Sequence, residues 1–155
     1  MAIPSRGSTR CGTYFITAST WEKSSLLQSE RMAKVFIDVL FHYQSHGKYR
    51  LHEFVVMPDH FHALLTPVVT LERAVQFIKG SFSFRARKEL GINSEIWQAS
   101  FYDHRVRDGI EYSRIRHYIH MNPVRRGLAS TPEEFPFSSA RLKLDEAPQW
   151  LKPAA

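Results

Sequence analysis

Residues 55–65 read VVMPDHFHALL, two apolar runs broken at Pro58-Asp59, and the fold turns on how they are joined. Runs of this length predict the two arms of a hairpin, over residues 49–57 and 60–66, because proline presets the turn dihedral and aspartate suits the next position. His60 and His62 then open the second arm. Side chains alternate along a strand, so both imidazoles share one surface while Phe61 and Ala63 point the other way. Neutral imidazole is a good ligand for divalent transition metals, and two on one face can hold a single ion; a pair of structural, hydrogen-bonded histidines is the plain alternative.

Outward from the hairpin, TYFITAS over residues 13–19 is rich in β-branched and aromatic residues and predicts a first strand. Met32, Phe36, Val39 and Tyr43 recur at helical spacing and predict a helix over 29–46, with Gly47 able to end it. A longer helix is expected over 70–90, its apolar stripe formed by Leu71, Val75, Ile78, Phe82 and Ala86. FYDHRVR, residues 101–107, predicts a short strand, followed by a helix over 110–121. From Thr131 the tail holds Pro-rich turns and one candidate short helix starting at Ser138 or Ser139. Residues 1–12 are polar, small and basic and are expected to form a flexible lead-in. The domain then covers 13–144, with 145–155 as a tail. Helices mixed with strands around a central hairpin predict an α+β sandwich, its helices covering one face of an antiparallel sheet.

A chain of 155 residues suits one domain. The formal net charge of +6 favours a polyanionic partner, nucleic acid before membrane. Cys11 is the only cysteine, which excludes an internal disulfide and a cysteine-built zinc site and fits a reducing cytoplasm. No stretch approaches the roughly 18 apolar residues of a membrane span, and no signal-peptide pattern opens the chain.

The second stretch with chemical content is RIRHYIHMNPVRRGL, residues 114–128. On a helix, Tyr112, Ile115 and Ile119 form the core stripe, while Tyr118 and Asn122 lie four apart on its shoulder. Arg114 falls one turn before Tyr118, and Arg125 and Arg126 follow Asn122. A phenol among guanidinium groups belongs near phosphates, since guanidinium forks suit phosphate oxygens and favour phenolate. A half-buried aromatic with a bonded hydroxyl is the alternative for Tyr118. Asn122-Pro123 also reads as the cap and first residue of a new short helix, so the Asn122 oxygen is free either to cap or to bind metal.

Taken together, VVMPDHFHALL and YIHMNPVRRGL resemble the two signature blocks of the single-tyrosine HUH transposases, most closely the branch associated with repetitive extragenic palindromes (REP) in bacteria. FIKGSFSFRARKELG, IWQASFYDHRVRD and FPFSSARL agree more weakly and in family order, so the similarity runs from about Thr13 to Leu142. Phe137 stands where the family pattern leads one to expect tryptophan. The resemblance implies a ferredoxin-like sandwich and a metal held by His60, His62 and Asn122, either Mg or Mn, the imidazoles favouring Mn. It implies Tyr118 as the nucleophile that cleaves single-stranded DNA through a 5′-phosphotyrosine, allowing strand transfer. The implied substrate is hairpin DNA, held by phosphate contacts for which Lys79, Arg85, Arg87, Lys88, Arg105, Arg107, Arg114, Arg125 and Arg126 are candidates. Glu111 and Asp103-His104 belong either to the site or to the ties between the last strand and the helices. The protein is expected to act as a monomer or homodimer.

Two other readings compete. A domesticated hairpin nickase without mobility would carry the same residues. A non-catalytic single-strand-binding module calls for two or more aromatics exposed on the sheet face, where the histidines are expected instead. A closed structural zinc site would need four ligands.

Overall fold

The computed structural model describes residues 12–142 and 144. The expectations for the lead-in and for the tail beyond 144 lie outside the described residues. Seven main elements follow in the order β1 (Tyr14–Ser19), α1 (Glu30–Ser45), β2 (Tyr49–Met57), β3 (His60–Pro67), α2 (Leu71–Leu90), β4 (Tyr102–Arg105) and α3 (Gly109–Arg125). The strands form one antiparallel sheet in the order β2-β3-β1-β4. This is the ferredoxin-like arrangement, in which α1 and α2 each connect strands that are not neighbours in the sheet.

Local chemistry explains the element boundaries. Ser29 caps α1, its hydroxyl accepting from Met32 N at 3.1 Å, and Thr70 caps α2 through Arg73 N at 3.3 Å. After α2 the chain turns at Gly91 with φ of +70°, a conformation glycine adopts without steric cost. Met57 pairs with His60 across the Pro58-Asp59 turn, as the hairpin reading requires.

Alternation along the strands divides the core in two. Ile16, Ala18, Phe54, Val56, Phe61, Ala63 and Leu65 face α1 and α2, where Phe36, Phe82 and Trp97 complete an aromatic cluster. Val55, Met57 and Leu64 point the opposite way and pack with Tyr112 and Ile119 of α3. The expectation that helices cover one face therefore holds for α1 and α2 only. α3 lies on the other face because its own apolar stripe needs a second surface to bury.

One alternative is ruled out and one expectation is corrected. Asn122-Pro123 does not begin a new helix: α3 runs through Pro123 to Arg125. Pro123 lacks an N–H, yet it lies in the last turn, where Arg126 N still reaches Asn122 O at 3.1 Å and Leu128 N reaches Pro123 O at 2.8 Å. The segment after Ser138 is a turn, closed by Arg141 N and Leu142 N on Ser138 O, and not a short helix among the described residues. Its serines are committed elsewhere. Val56 N donates to Phe137 O at 2.9 Å and Ser139 N to Phe54 O at 2.9 Å, so the tail covers the free edge of β2.

Candidate active site

β3 presents His60 and His62 on the face shared with α3. Each is only 5% exposed, and their ring centroids stand 4.8 Å apart. Both Nδ1 atoms are engaged: His60 with Asp59 Oδ1 at 2.6 Å, and His62 with the hydroxyl of Thr17, its cross-strand partner, at 2.8 Å. Phe15 stacks on His62 at 5.3 Å. An outer carboxylate or hydroxyl on Nδ1 fixes the ring and leaves Nε2 as the donor, the usual device of metal-binding histidines.

Burial pushes both imidazoles toward the neutral form. For His62 desolvation dominates, reinforced by His60 and by the charges of Arg126, Lys23 and Arg125, and the value falls to about 3. For His60 desolvation again wins, against the opposing pull of Asp59. Asp59 stays below the usual carboxylate range, because the bond and charge of His60 outweigh its own desolvation. Near neutral pH both rings keep a lone pair for a ligand.

α3 brings the other two residues. Asn122 is 5% exposed, and its Oδ1 is buried without a hydrogen-bond partner; so is His62 Nε2. Because α3 continues through Pro123, the Asn122 amide is not consumed as a cap. Buried polar atoms without partners cost about 1–3 kcal/mol each, a cost that a bound divalent ion would offset. Among the described residues no three His, Cys, Asp or Glu side chains are grouped as metal ligands. His60, His62 and Asn122 carry donor atoms whose chemistry would suit such an ion.

Tyr118 is 43% exposed, with its ring centroid 5.4 Å from that of His62 of the same chain. Arg125 holds it from the other side, its guanidinium 4.6 Å from the ring centroid and Nη2 donating to the Tyr118 carbonyl at 3.0 Å. Two shallow clefts flank the ring. One, of about 610 Å³, is bordered by Ile110, Ser113, Arg114, His117, Tyr118 and Arg125. The other, of about 320 Å³, lies among Phe15, Glu111, Arg114, Ile115 and Tyr118. Tyr112, in contrast, is buried, which raises its pKa and keeps its phenol protonated.

The cations divide between the faces. Arg114 borders both clefts, and the charges of Arg125 and Arg126 act directly on His62. Arg105 and Arg107 are exposed at the end of β4, Arg107 paired with Glu111 at 3.1 Å. Lys79, Arg85, Arg87 and Lys88 belong to α2, which covers the opposite face. Lys79 donates to Gln98 O at 2.9 Å, and Arg85 pairs with Glu89 at 2.6 Å. Glu111 binds His104 at 2.9 Å as well as Arg107, so this group ties β4 to α3.

One cluster was not anticipated from the sequence. Glu53 is mostly buried and accepts from His120 at 2.6 Å, Ser139 at 2.7 Å and Arg116 at 3.0 Å. These bonds join β2, α3 and the tail, with His120 midway in sequence between Tyr118 and Asn122. A register shift between Leu51 and Glu53 marks a bulge at His52, which re-aims Glu53 toward α3. The available signal was a carboxylate inside the strand YRLHEFVVM, which demands a partner.

A four-stranded ferredoxin-like sheet, with paired histidines on one face and a tyrosine-bearing helix above them, defines a transposase-type domain. Residues 10–122 match the family described as Transposase IS200 like, and the chain belongs to that family. Among its relatives, the REP-associated tyrosine transposase of Escherichia coli K12 is 27% identical over 134 residues, covering 83% of this chain and 76% of the relative. A Haemophilus influenzae protein assigned to the same group is 24% identical over 153 residues, covering 86% and 82%. A solved REP-associated tyrosine transposase bound to a REP hairpin shares the fold, with TM-score 0.67, 24% identity and coverage of 93% of this chain and 92% of that one. The chain is thus an enzyme of the tyrosine-transposase kind, a DNA-cleaving family, and the REP-associated branch is the one it resembles. No helix among the described residues is long and apolar enough to cross a membrane.

Proposed function

We propose that this protein cleaves and rejoins single-stranded hairpin DNA of the repetitive extragenic palindrome type, in the bacterial cytoplasm, through a 5′-phosphotyrosine on Tyr118. The observation that carries the reading is the juxtaposition of two buried, unpartnered ligand atoms, His62 Nε2 and Asn122 Oδ1, with an exposed phenol in the same chain. His60, His62 and Asn122 would hold Mg or Mn, which supplies polarisation of the scissile phosphate and neutralises charge on its oxygens.

The protein's own residues do the rest. Thr17 and Asp59 hold the two rings through Nδ1, and burial keeps them unprotonated. α3 places the Tyr118 oxygen at the open side of the site, with Arg114, Arg125 and Arg126 to receive the DNA backbone. The phenol oxygen forms a bond to phosphorus as the bond to the 3′-oxygen breaks; the phenol proton is lost and the departing 3′-oxygen gains one. Covalent storage of the phosphoryl bond lets a later 3′-hydroxyl reverse the step without ATP.

Incubation with single-stranded hairpin DNA and Mn should yield a covalent adduct that maps to Tyr118. In Tyr118→Phe the adduct should vanish while hairpin binding persists, because phosphate contacts supply most of the affinity. An adduct that survives in this variant, or maps to Tyr112, would overturn the assignment.

A further inference from the structure

Three of the large apolar side chains exposed among the described residues, Tyr102 at 57%, Ile110 at 63% and Tyr118 at 43%, border the open face of the sheet. Tyr118 is accounted for. Tyr102 is not: it lies on the four-residue edge strand β4, and its ring meets Phe15 edge-on at 6.2 Å. Tyr102 and His62 are both register partners of Thr17, from opposite sides. Directly opposed residues share a face, so the Tyr102 ring and the His62 imidazole stand on the same surface, about 10 Å apart by two strand spacings. Phe15 links them, with its ring 5.3 Å from His62 and 6.1 Å from Tyr118.

The surroundings specify the occupant. Arg114, on the cleft that Phe15 floors, makes no hydrogen bond or ion pair among the described residues, so its guanidinium is available to an anion. Glu111 on the same rim is committed to Arg107 and His104. An exposed aromatic face beside unpaired guanidinium groups is the composition of a single-strand nucleic-acid site, where bases stack and cations follow the backbone. A protein-docking face would carry a larger apolar patch and fewer free cations.

We propose that Tyr102, backed by Phe15, is a stacking platform for an unpaired base of the DNA strand whose phosphate reaches His60 and His62, with Arg114 receiving the backbone between them. The inference rests on the DNA-cleaving reading above and adds a subsite to it. The platform would favour hairpins that carry a single-stranded extension, and it would tolerate any base, because every base presents a π-face.

The test is equilibrium binding in chelator, so that no cleavage occurs, using a DNA hairpin with a short thymine extension on either end and the same hairpin with an abasic extension. The intact protein should prefer the thymine extension about tenfold on one of the two ends, the lower part of the range for one stacked base. Tyr102→Phe should keep that preference; Tyr102→Ala and Tyr102→Leu should abolish it and leave binding to the abasic hairpin within about twofold. No preference in the intact protein, equal losses on both DNAs, or a Tyr102→Phe that behaves like Tyr102→Ala would overturn the platform. A protein that distinguishes the two extensions yet forms no adduct with Mn keeps the platform and refutes the chemistry, so the two failures are separable.

Discussion

The two faces of the sheet use the same strands and solve opposite problems. Toward α1 and α2, every second strand residue meets an aliphatic or aromatic partner: Phe61 lies between Phe36 at 4.6 Å and Trp97 at 5.8 Å, and is fully buried. Toward α3, Val55, Met57 and Leu64 are sealed by Tyr112, Ile119 and Val106, with Phe15 partly buried against them. On the β1 and β4 side Phe15 is half-buried and Tyr102 is exposed. Between the sealed and open parts stand His60, His62 and Asn122, buried but not saturated. One face therefore supplies stability, while the other holds polar atoms that cost stability until something binds them.

The largest test of this contrast sets Phe61→Ala against Tyr118→Phe. Truncating Phe61 should cost about 3–5 kcal/mol, as expected for a large core aromatic, read by denaturant unfolding. Tyr118→Phe should change stability by less than about 0.5 kcal/mol, because the ring keeps its contacts and only a half-exposed hydroxyl is lost. Comparable losses from both would mean that the open face is core after all.

Glu53 joins the two faces' edges to α3, and its carboxylate stays ionised: burial raises its pKa, but the bonds of His120 and Ser139 and the charges of His120 and Arg116 outweigh it. Glu53→Gln should cost about 2 kcal/mol, since a mostly buried ion-pair partner is left unmatched. Because one of the lost partners, His120, lies on α3 between Tyr118 and Asn122, adduct formation should slow by about tenfold at saturating hairpin, with hairpin affinity little changed. A slowdown that simply tracks the unfolded fraction would reduce Glu53 to a stability residue.

Asn122→Leu probes the cost of the unsaturated site. Removing a buried oxygen without a partner should leave the metal-free protein as stable or up to about 1 kcal/mol more stable, while calorimetry with Mn should show affinity lost by tenfold or more. A marked destabilisation without metal would show that the amide has a structural bond.

The smallest effect is expected at the rim. Glu111 is held at about 2, its desolvation outweighed by bonds from Arg107 and His104. A depressed carboxylate contributes stability above its unfolded pKa and loses it as pH falls through the folded value, here from about 4.5 toward 2. Discounted for solvent screening, the contribution is about 1 kcal/mol. The thermal midpoint of Glu111→Gln should accordingly be lower than that of the unchanged protein at pH 6, and the gap should close toward pH 2. A gap independent of pH would assign the effect to packing.

The order of strands and helices, the hairpin at Pro58-Asp59, and the shared face of His60 and His62 were legible in the sequence, because strand alternation and helical spacing are local rules. The same spacing set Tyr112 in the packing and Tyr118 on the shoulder, four residues before Asn122. Local rules stop where pairing over long distances begins. Nothing within β3 names Thr17 as the partner of His62, nothing within β2 announces the bulge that turns Glu53 toward His120 and Ser139, and the periodicity of a helix does not say which sheet face it will cover. Only the tertiary structure placed α3 opposite α1 and α2, put the α2 cations on the face away from the histidines, and carried α3 through Pro123. That last choice leaves the Asn122 oxygen buried and without a hydrogen-bond partner instead of capping a helix, since a backbone that continues helically has no free N–H groups there for it to accept from.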